Sequence, residues 1–441
     1  MAYNNTEILL KKIADRQIRA GVIGLGYVGL PLAVEIAKAG FKTIGFDINE
    51  KRIDSVNQGR NYIGDVVDSD LKMLVEKGML AATTDCSEIG EVDFAAICVP
   101  TPLDANRQPD ISHVESSVKS IAEHLRKGMI VVLESTTYPG TTEEVVKPIL
   151  ESSGLKCGED FYLGFSPERV DPGNAIYKTK NITKVVGGLG DDAGFLISAM
   201  YEAVLGNKVC RVSSPTVAEM TKMLENSYRN VNIGLINEFA VFCNKVGIDI
   251  WEVIEAAKTK PFGFAPFYPG PGLGGQCIPV DPHYLNYKAH AADYKFSIIE
   301  ASIKINNSMP EYCVKRIGEM LSRRFGKTLN GSRVLILGVT YKQDIDDCSE
   351  SPAIKIIDKL HAEGADTLFF DPYISEFVHH GKVCYGEKEL TSELIRSVDI
   401  AVIATPHSKV DYGFVQRHAK AILDTRNATS HLADRDNIEL L

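Results

Sequence analysis

A glycine-rich segment near the N-terminus constrains the fold more than any other feature of the chain. Gly24, Gly26 and Gly29 form a GxGxxG pattern directly after the apolar residues Ala20–Ile23 and before a helix-like stretch. In such a pattern the first glycine makes a tight turn, the second lets the backbone approach a ligand, and the third allows close packing of helix on strand. The segment therefore predicts a strand, a turn and a helix at the start of a sheet of parallel strands.

A dinucleotide is the ligand that this pattern predicts, with its pyrophosphate at the helix N-terminus. Asp47 ends the next predicted strand, 18 residues after Gly29. A carboxylate there hydrogen-bonds the ribose hydroxyls and repels a 2′-phosphate, which favours NAD over NADP. Arg52 could accept a 2′-phosphate, but we expect it beside the adenosine. The alternative is a glycine-rich turn that binds no nucleotide.

Two further threonines are candidates for the nicotinamide half of the cofactor. Thr101 and Thr136 follow the third and fourth predicted strands, and open α/β sheets bind ligands at the carboxyl ends of strands. The alternative is that both threonines only cap strand ends. The residues expected at the cofactor are Gly24, Leu25, Gly26, Tyr27, Val28, Gly29, Asp47, Arg52, Pro100, Thr101 and Thr136.

The alternation of strands and helices predicts three domains. Residues 1–210 are expected to form a doubly wound α/β domain, residues 211–325 a central helical domain, and residues 326–441 a second Rossmann-like α/β domain. The strands predicted for the first domain, all parallel, are Ala20–Ile23, Thr43–Phe46, Phe94–Val99, Ile130–Glu134 and Thr183–Val186. Those predicted for the last are Arg333–Gly338, Thr367–Asp371, Ile400–Ala404 and Ala421–Asp424.

The central domain has a helical pattern. A long helix is predicted to begin near Ser214-Pro215, where an N-cap residue precedes a proline in the first turn. Further helices are expected over Ile250–Lys258 and Phe296–Gly326, separated by a loop, Pro261–Pro282, that is rich in proline and glycine. A loop of that length is usually functional.

Composition argues against several classes of protein. The net charge of −10 over 441 residues gives no basic stripe, so we expect no nucleic-acid partner. No run approaches the roughly 18 apolar residues of a membrane span, and Met1–Ala20 is charged rather than signal-like. The nine cysteines form no CxxC pair and no metal-ligand spacing, which predicts a reducing cytoplasmic location and no metal.

A polar stripe marks the long central helix. Glu219, Lys222, Asn226 and Asn230 are spaced three, four and four residues apart and therefore fall within one narrow arc. A solvated helix face is one interpretation. The other is the wall of a buried cleft, where a lysine could shuttle protons or stabilise an oxyanion.

Cys277 is the candidate nucleophile. It follows Gly272-Leu-Gly-Gly275, and turn amides beside a thiol help to lower its pKa. A reactive thiol can trap an aldehyde covalently, so that oxidation continues to the acid. The alternative is a buried structural cysteine. Asp281, four residues on, could orient a water molecule.

The neighbours Glu168 and Arg169 follow another predicted strand. As a pair they could hold water or substrate; the alternative is a surface ion pair of little energetic value.

Seven blocks of sequence, in chain order, resemble one known family. They are Gly24–Pro31, Val99–Pro102, Glu134–Glu143, Phe165–Asn174, Ala218–Asn226, Gly270–Pro282 and Gly338–Lys342. The chain resembles the UDP-glucose/GDP-mannose dehydrogenase family along nearly its whole length, and within it the branch that acts on UDP-N-acetylhexosamines such as UDP-N-acetylglucosamine. The resemblance implies oxidation of the sugar's C6 hydroxymethyl group to a carboxylate with two NAD and one water.

The resemblance also implies roles for individual residues. The catalytic set is Cys277, Lys222, Asn226, Asp281, Glu168 and Thr136. Cys277 would form a thiohemiacetal and then a thioester, while Lys222, Asn226 and Asp281 match residues that manage protons, the oxyanion and the hydrolytic water. Glu168 matches an active-site glutamate, and Thr136 a residue near the cofactor. The substrate set is Glu168, Arg169, Lys222, Asn226, Tyr268, Gly274, Lys342 and Arg426, with Lys342 and Arg426 at the UDP portion.

The sequence departs from the branch at two places. Gln276 stands where the branch usually has histidine, and Cys348–Ser351 lacks the arginine that usually precedes Glu-Ser. Val280 favours the N-acetylhexosamine branch, because the UDP-glucose and GDP-mannose branches usually have lysine there. UDP-glucose, UDP-ManNAc and UDP-GalNAc stay open as substrates. A two-electron hydroxyacid dehydrogenase and a non-catalytic nucleotide sensor are the alternative functions. The resemblance also implies a homodimer or higher homo-oligomer.

Overall fold

The computed structural model describes residues 5–64, 66–171, 174, 176–275 and 278–441. The chain forms two compact units. The first unit comprises the described residues of Met1–Glu225 and His283–Tyr294, and the second those of Asn226–Pro282 and Lys295–Leu441. In the described part of the chain, no helix is both long and apolar enough to cross a bilayer.

An eight-stranded sheet forms the centre of the first unit. Its strands are β1 Arg19–Ile23, β2 Lys42–Phe46, β3 Leu80–Thr83, β4 Phe94–Ile97, β5 Ile130–Leu133, β6 Tyr162–Phe165, β7 Val185–Gly188 and β8 Cys210–Val212. The helices are α1 Asn5–Ala14, α2 Gly29–Lys38, α3 Glu50–Asn57, α4 Asp68–Glu76, α5 Ser112–His124, α6 Lys147–Glu151 and α7 Asp191–Leu205, with a 3₁₀ helix Cys86–Glu91 and a π-helical turn Thr142–Val146.

The strand order β3-β2-β1-β4-β5-β6-β7-β8 is that of a doubly wound sheet, in which the order reverses between β1 and β4. The central strands are apolar throughout because helices cover both faces of the sheet, and β4 and β5 are buried at every position. One apolar cluster packs α1, α2 and α7 on the sheet, and another packs α5 on it.

The second unit contains a five-stranded parallel sheet, a hairpin and several helices. Its strands are β9 Arg333–Leu337, β10 Asp366–Phe370, β11 Glu376–His379, β12 Lys382–Tyr385, β13 Ile400–Ile403, β14 Ile422–Asp424 and β15 Ile438–Leu440. The order is β10-β9-β13-β14-β15, again with a reversal, while β11 and β12 form a separate two-stranded sheet. Helices α9 Ile250–Lys258, α11 Ser297–Phe325, α12 Pro352–Ala362, α13 Ser392–Ser397 and α14 Tyr412–His418 belong to this unit.

Two helices cross the division between the units. Helix α8 spans Pro215–Val246 and belongs to the first unit up to Glu225, and α10 spans Asp281–Ala291. Pro215 occupies the first helical position, as the sequence predicts.

The predicted fold class is confirmed: two Rossmann-like sheets and a long central helix are present. One strand prediction is wrong in its direction. The segment predicted as the parallel strand Thr183–Val186 forms β7, which runs antiparallel to β6. The three predicted domain boundaries stay a prediction.

Candidate active site

The turn between β1 and α2 has the geometry that a dinucleotide requires. Gly24 has φ +91°, and a Cβ at Gly29 would lie 1.8 Å from the Gly24 carbonyl oxygen, so a side chain fits at neither position. A Cβ at Gly26 would meet no heavy atom of the described residues within 4 Å, which leaves space for a ligand. Val28, whose side chain has no polar atom, occupies the N-cap of α2. These residues fit the pyrophosphate of NAD.

Asp47 lies where the ribose is expected, at the end of β2. One carboxylate oxygen accepts a hydrogen bond from the Leu25 amide at 2.8 Å and an ion pair from Arg52 at 3.2 Å. The other oxygen accepts from the Asn49 amide at 2.9 Å. A hydrogen bond therefore links the glycine turn directly to Asp47, and Arg52 supplies an opposite charge to the same carboxylate. The role of Arg52 at the adenosine stays a prediction.

The loops after β4 and β5 bring Pro100, Thr101 and Thr136 to the carboxyl edge of the same sheet. The Thr101 carbonyl accepts a hydrogen bond from the Tyr284 hydroxyl at 2.9 Å. Ser135 fixes the loop after β5, because its hydroxyl donates to the Val99 carbonyl at 2.7 Å. Thr136 is half-buried and Pro100 exposed. The edge at which these residues lie is where the sheet order reverses, the usual ligand position in such folds.

Glu168 and Arg169 do not form the side-chain pair that their adjacency suggests. Arg169 instead makes a two-point ion pair with Glu225 on α8, at 2.5 and 3.2 Å. The Glu168 carboxylate accepts from the Arg169 and Val170 amides at 2.7 and 2.8 Å and receives the Lys184 ammonium at 3.3 Å. Two adjacent side chains point to different partners because each has a closer opposite charge.

The stripe on α8 is buried rather than solvated. Glu219, Lys222, Asn226 and Asn230 are 0, 8, 5 and 1% exposed. In the first unit the Lys222 Nζ donates to the Glu168 main-chain carbonyl at 2.6 Å. Glu219 accepts from the Gly140 and Thr142 amides at 2.6 and 2.9 Å, and burial raises its pKa. The interpretation as a solvated face is therefore wrong, and the interpretation as a cleft wall stays a prediction.

In the second unit the stripe meets the segment that follows the candidate nucleophile. The Asn226 side-chain amide donates to the Asp281 carboxylate, and the Asn230 side-chain amide donates to the Ile278 carbonyl at 3.3 Å. Cys277 and Gln276 lie outside the described residues. The described residues beside them place Asp281, the first residue of α10, against Asn226 of α8.

A chain of neutral polar groups continues from Asn230 between α8 and α11. The Ser302 hydroxyl and the Asn306 side-chain amide donate to Asn230, at 2.7 Å and 3.0 Å. The Asn237 side-chain amide donates to Asn306 at 2.9 Å, and the Asn237 oxygen accepts from the Gly270 amide, also at 2.9 Å. Segments on both sides of Cys277 are thus fastened to the same pair of helices. Residue spacing along the sequence does not predict this chain, because its members lie on elements far apart in the sequence.

The glycines before Cys277 allow the loop to pack closely against the second sheet's loops. A Cβ at Gly274 would lie 2.5 Å from the Tyr341 Cβ, and one at Gly270 would lie 2.3 Å from an Arg426 nitrogen. The Tyr341 Cβ cannot move without its backbone, so Gly274 leaves no room for a side chain, whereas at Gly270 the end of the Arg426 side chain would have to shift. Close packing therefore accounts for the glycine at position 274, and its role at the substrate stays a prediction.

A pocket of about 440 Å³ lies beside Arg426. It is lined by Trp251, Glu255, Tyr268, Pro269, Pro406, Arg426, Asn427 and Ser430. Tyr268 stacks on Trp251 with ring centroids 5.9 Å apart and 15° between the planes, and flat apolar rings suit a nucleobase or sugar. The Arg426 Nε donates to the Ala404 carbonyl at 3.2 Å, and burial lowers the pKa of Arg426 to about 10. The pocket joins two predicted substrate residues, Tyr268 and Arg426.

A buried histidine holds the loop that carries Lys342. His407 accepts the Asp344 amide at Nδ1, 3.1 Å away, so its proton is on Nε2, which lies 3.0 Å from the Asp371 carboxylate. Burial raises the pKa of Asp371, but hydrogen bonds from His407 and from the Tyr373 and Val339 amides outweigh it and lower the pKa overall. Lys342 is half-buried, on the loop between Thr340 and Asp344 that this network fixes.

Domain profiles of a single family match the chain in sequence order. The NAD binding domain of the UDP-glucose/GDP-mannose dehydrogenase family matches residues 18–205, its central domain residues 216–308, and its UDP binding domain residues 335–431. The first profile contains the glycine turn and Asp47, and the third contains Lys342, His407 and Arg426.

Individual relatives agree over nearly the whole chain. A UDP-N-acetyl-D-glucosamine 6-dehydrogenase of Pseudomonas aeruginosa is 37% identical over 398 residues, 89% of this chain and 92% of the relative. An NDP-N-acetyl-D-galactosaminuronic acid dehydrogenase of Ralstonia nicotianae is 34% identical over 425 residues, 93% of this chain and 96% of the relative. The structure of a UDP-D-ManNAc dehydrogenase from Pyrococcus horikoshii superposes with a TM-score of 0.87 at 31% identity, covering 96% of this chain and 99% of that one. Together with the NAD-binding turn, these matches show that the chain belongs to the UDP-glucose/GDP-mannose dehydrogenase family and is an NAD-dependent nucleotide-sugar dehydrogenase.

Proposed function

We propose that this chain oxidises the C6 hydroxymethyl group of a UDP-N-acetylhexosamine to a carboxylate, with UDP-N-acetylglucosamine as the favoured sugar. The relatives named above act, by their names, on N-acetylated sugars. The Cys277-Ile-Pro-Val-Asp281 segment resembles the same branch. The pocket at Arg426 and Tyr268 supports a nucleotide-bearing substrate, because it combines a cation with stacked rings.

The hydrogen bond between Asn226 and Asp281 is the observation that carries the mechanism. It holds a carboxylate, four residues after Cys277, against the helix that also carries Lys222. A thiol, a carboxylate, an amide and an ammonium are the groups that covalent aldehyde oxidation requires. Lys222, Asn226 and Asp281 are buried, so their interactions with a developing charge are stronger than in water.

The chain's residues would act in sequence. NAD, when bound, accepts one hydride in each of two oxidations. After the first, the Cys277 thiolate adds to the aldehyde carbon, and Lys222 and Asn226 stabilise the oxyanion of the resulting thiohemiacetal. The second oxidation leaves a thioester. Asp281 then accepts a proton from a water molecule that attacks the thioester carbon, and the Cys277 thiolate departs. One alcohol, two NAD and one water give one carboxylate, two NADH and three protons.

Product stoichiometry tests the proposal. The purified protein is incubated with NAD and, separately, UDP-GlcNAc, UDP-GalNAc, UDP-ManNAc and UDP-glucose. We expect two NADH for each sugar consumed, with the highest kcat/KM for UDP-GlcNAc. One NADH per sugar contradicts the four-electron mechanism, and the highest kcat/KM for another sugar contradicts the substrate assignment.

Two cysteine variants test the nucleophile. Cys277→Ser should form no acid while NAD binding is unchanged. Cys210→Ser is the matched control, because Cys210 is exposed and lies in β8. Equal acid formation by Cys277→Ser and the wild type would remove Cys277 from the mechanism.

Location and assembly are further parts of the proposal. We infer a cytoplasmic homodimer or higher homo-oligomer that supplies a uronic acid for a surface polysaccharide or glycan. Light scattering on the purified protein tests the assembly: a mass at least twice that of the 48.4 kDa chain is expected, and a monomer contradicts it.

A further inference from the structure

The reaction described above assigns no chemical step to a buried cluster of charges in the first unit. The Lys184 ammonium is 2.5 Å from the Glu134 carboxylate and 3.3 Å from the Glu168 carboxylate. The Tyr201 hydroxyl donates to Glu134 from α7, and the Lys184 Nζ lies 5.1 Å from the centroid of the Tyr201 ring. Lys184 is 5% and Glu134 1% exposed. Charges so buried are costly unless they are paired, so a cation is required here.

The direction of β7 brings Lys184 to this place. β6 and β7 are antiparallel, with Phe165 opposite Gly187, so the residue before β7 lies beside the residues after β6. In a parallel strand Lys184 would lie at the opposite edge of the sheet. The reversal instead brings it to the carboxyl edge, with Glu134 after β5 and Glu168 after β6.

The cluster includes residues of two loops, those after β5 and β6, that contain or contact predicted catalytic residues. Glu134 is two residues before Thr136, and Glu168 offers its main-chain carbonyl to the Lys222 ammonium at 2.6 Å. We propose that Lys184 is a positioning residue for the reaction: its ammonium holds the Glu168 carboxylate in place, so that the Glu168 carbonyl orients Lys222. The inference rests on the proposed function, because it is that reaction which gives Lys222 an oxyanion to stabilise.

Electrostatics of the cluster agree with this role. Burial raises the pKa of Glu168, but the Lys184 charge, the Val170 and Arg169 amides and the Lys222 charge outweigh it, and the pKa is lowered overall. Burial raises the pKa of Glu134 despite Lys184. The other titratable groups facing the cluster are Cys98, Tyr201 and Lys222; burial raises the pKa of Cys98 and of Tyr201, so both are neutral. Lys184 is therefore the cation shared by both carboxylates.

The pH dependence of turnover in Lys184→Met tests the inference. Without the shared cation the pKa of Glu168 rises, since a carboxylate that loses an opposite charge binds its proton more tightly. We expect the acid limb of the kcat profile to move up by at least about one pH unit, with little change in the KM for NAD. In Lys184→Arg, which keeps the charge, the acid limb of the kcat profile should lie close to that of the wild type. Lys12→Met is the matched control: Lys12 pairs with Asp93 at 3.3 Å in the same unit but is partly exposed, and its profile should not move.

A double variant separates positioning from folding. Lys184→Met with Glu134→Gln removes one positive and one negative charge, so we expect it to recover most of the unfolding midpoint that Lys184→Met loses. The acid limb should stay shifted, because Glu168 still lacks its cation. An unshifted limb in Lys184→Met, with kcat lowered equally at every pH, would mean a purely structural role. A double variant with a normal limb would overturn the inference as well.

The proposed function and the inference fail in different ways. The wild-type protein tests the former, since no NADH with any of the sugars refutes it whatever Lys184 does. Unfolding midpoints test the cluster without turnover. A carboxyl group whose pKa is lowered in the fold stabilises it at pH values above the ordinary carboxyl pKa, and this contribution is lost as the pH falls. The difference in unfolding midpoint between the wild type and Lys184→Met should therefore shrink in acid. A difference that is constant with pH contradicts the ion-pair account.

Discussion

Replacing Glu219 with alanine should destabilise the loop that follows Thr136, by an amount that the structure allows us to estimate. The carboxylate is fully buried and accepts three hydrogen bonds, from the Gly140 amide at 2.6 Å, the Thr142 amide at 2.9 Å and the Thr142 hydroxyl at 2.6 Å. A buried donor that loses its partner costs about 1–3 kcal/mol. The hydroxyl can rotate to another acceptor, but the two amides cannot.

Leaving both amides without an acceptor therefore costs roughly 2–6 kcal/mol. Water that enters the space left by the side chain can accept from them, which favours the lower half of this range, about 3 kcal/mol. At about 1.4 kcal/mol for each factor of ten, the opening equilibrium of this segment rises roughly a hundredfold. Hydrogen exchange of peptides covering residues 138–146 measures this directly, since exchange reports local opening. Exchange also reports this segment alone, whereas an unfolding midpoint reports the unit as a whole.

Glu144→Ala is the matched control. Glu144 lies in the same segment, but its side chain is 57% exposed and its ion-pair partner among the described residues is Lys288, so its loss should change exchange little. If Glu219→Ala and Glu144→Ala raise exchange by the same factor, Glu219 is not the anchor of the loop. A rise of less than about fivefold in Glu219→Ala would equally refute the estimate.

Two further variants test the second unit. Arg426→Met should weaken binding of UDP, measured by calorimetry, by roughly 10- to 100-fold, since a charge-assisted hydrogen bond is worth about 1.5–3 kcal/mol. Arg333→Met is the control, because Arg333 is a partly exposed arginine paired with Asp366 at 3.0 Å, and equal affinities of the two variants would exclude Arg426 from the nucleotide site. Asp371→Asn should lower the unfolding midpoint near neutral pH and lower it by less at about pH 3, below the ordinary carboxyl pKa. The reason is that the pKa of Asp371 is lowered in the fold, so its contribution is present above the ordinary carboxyl pKa and lost in acid. A midpoint deficit that is the same at both pH values would contradict the His407–Asp371 account.

Local patterns in the sequence predict much of this structure. The glycine turn and Asp47 lie within one strand–helix–strand unit, and the stripe from Glu219 to Asn230 lies on one helix, so residue spacing alone places their members together. The burial of the stripe agrees with its interpretation as a cleft wall.

Contacts between distant segments could not be predicted in this way. Lys184 reaches Glu134 and Glu168 only because β7 is antiparallel, and the alternation of apolar segments does not specify strand direction. A lysine directly before a fully buried strand was the available signal, since such a residue needs an acidic partner. Glu168 and Arg169 show the converse error: adjacency in the sequence suggested a pair, and tertiary contacts gave each a different partner.

The chain of amides from Asn230 through Asn306 to Asn237 has a consequence for enzyme kinetics. Its members are asparagines and a serine, which do not ionise between acid and alkaline pH, and their hydrogen bonds are directional and insensitive to salt. Each turnover of the proposed reaction releases protons, yet the anchoring of Gly270 and Ile278 does not change with them. Bends in a pH–rate profile can therefore be attributed to the groups that exchange protons, Asp281 among them, and not to loss of the Gly270 and Ile278 anchors.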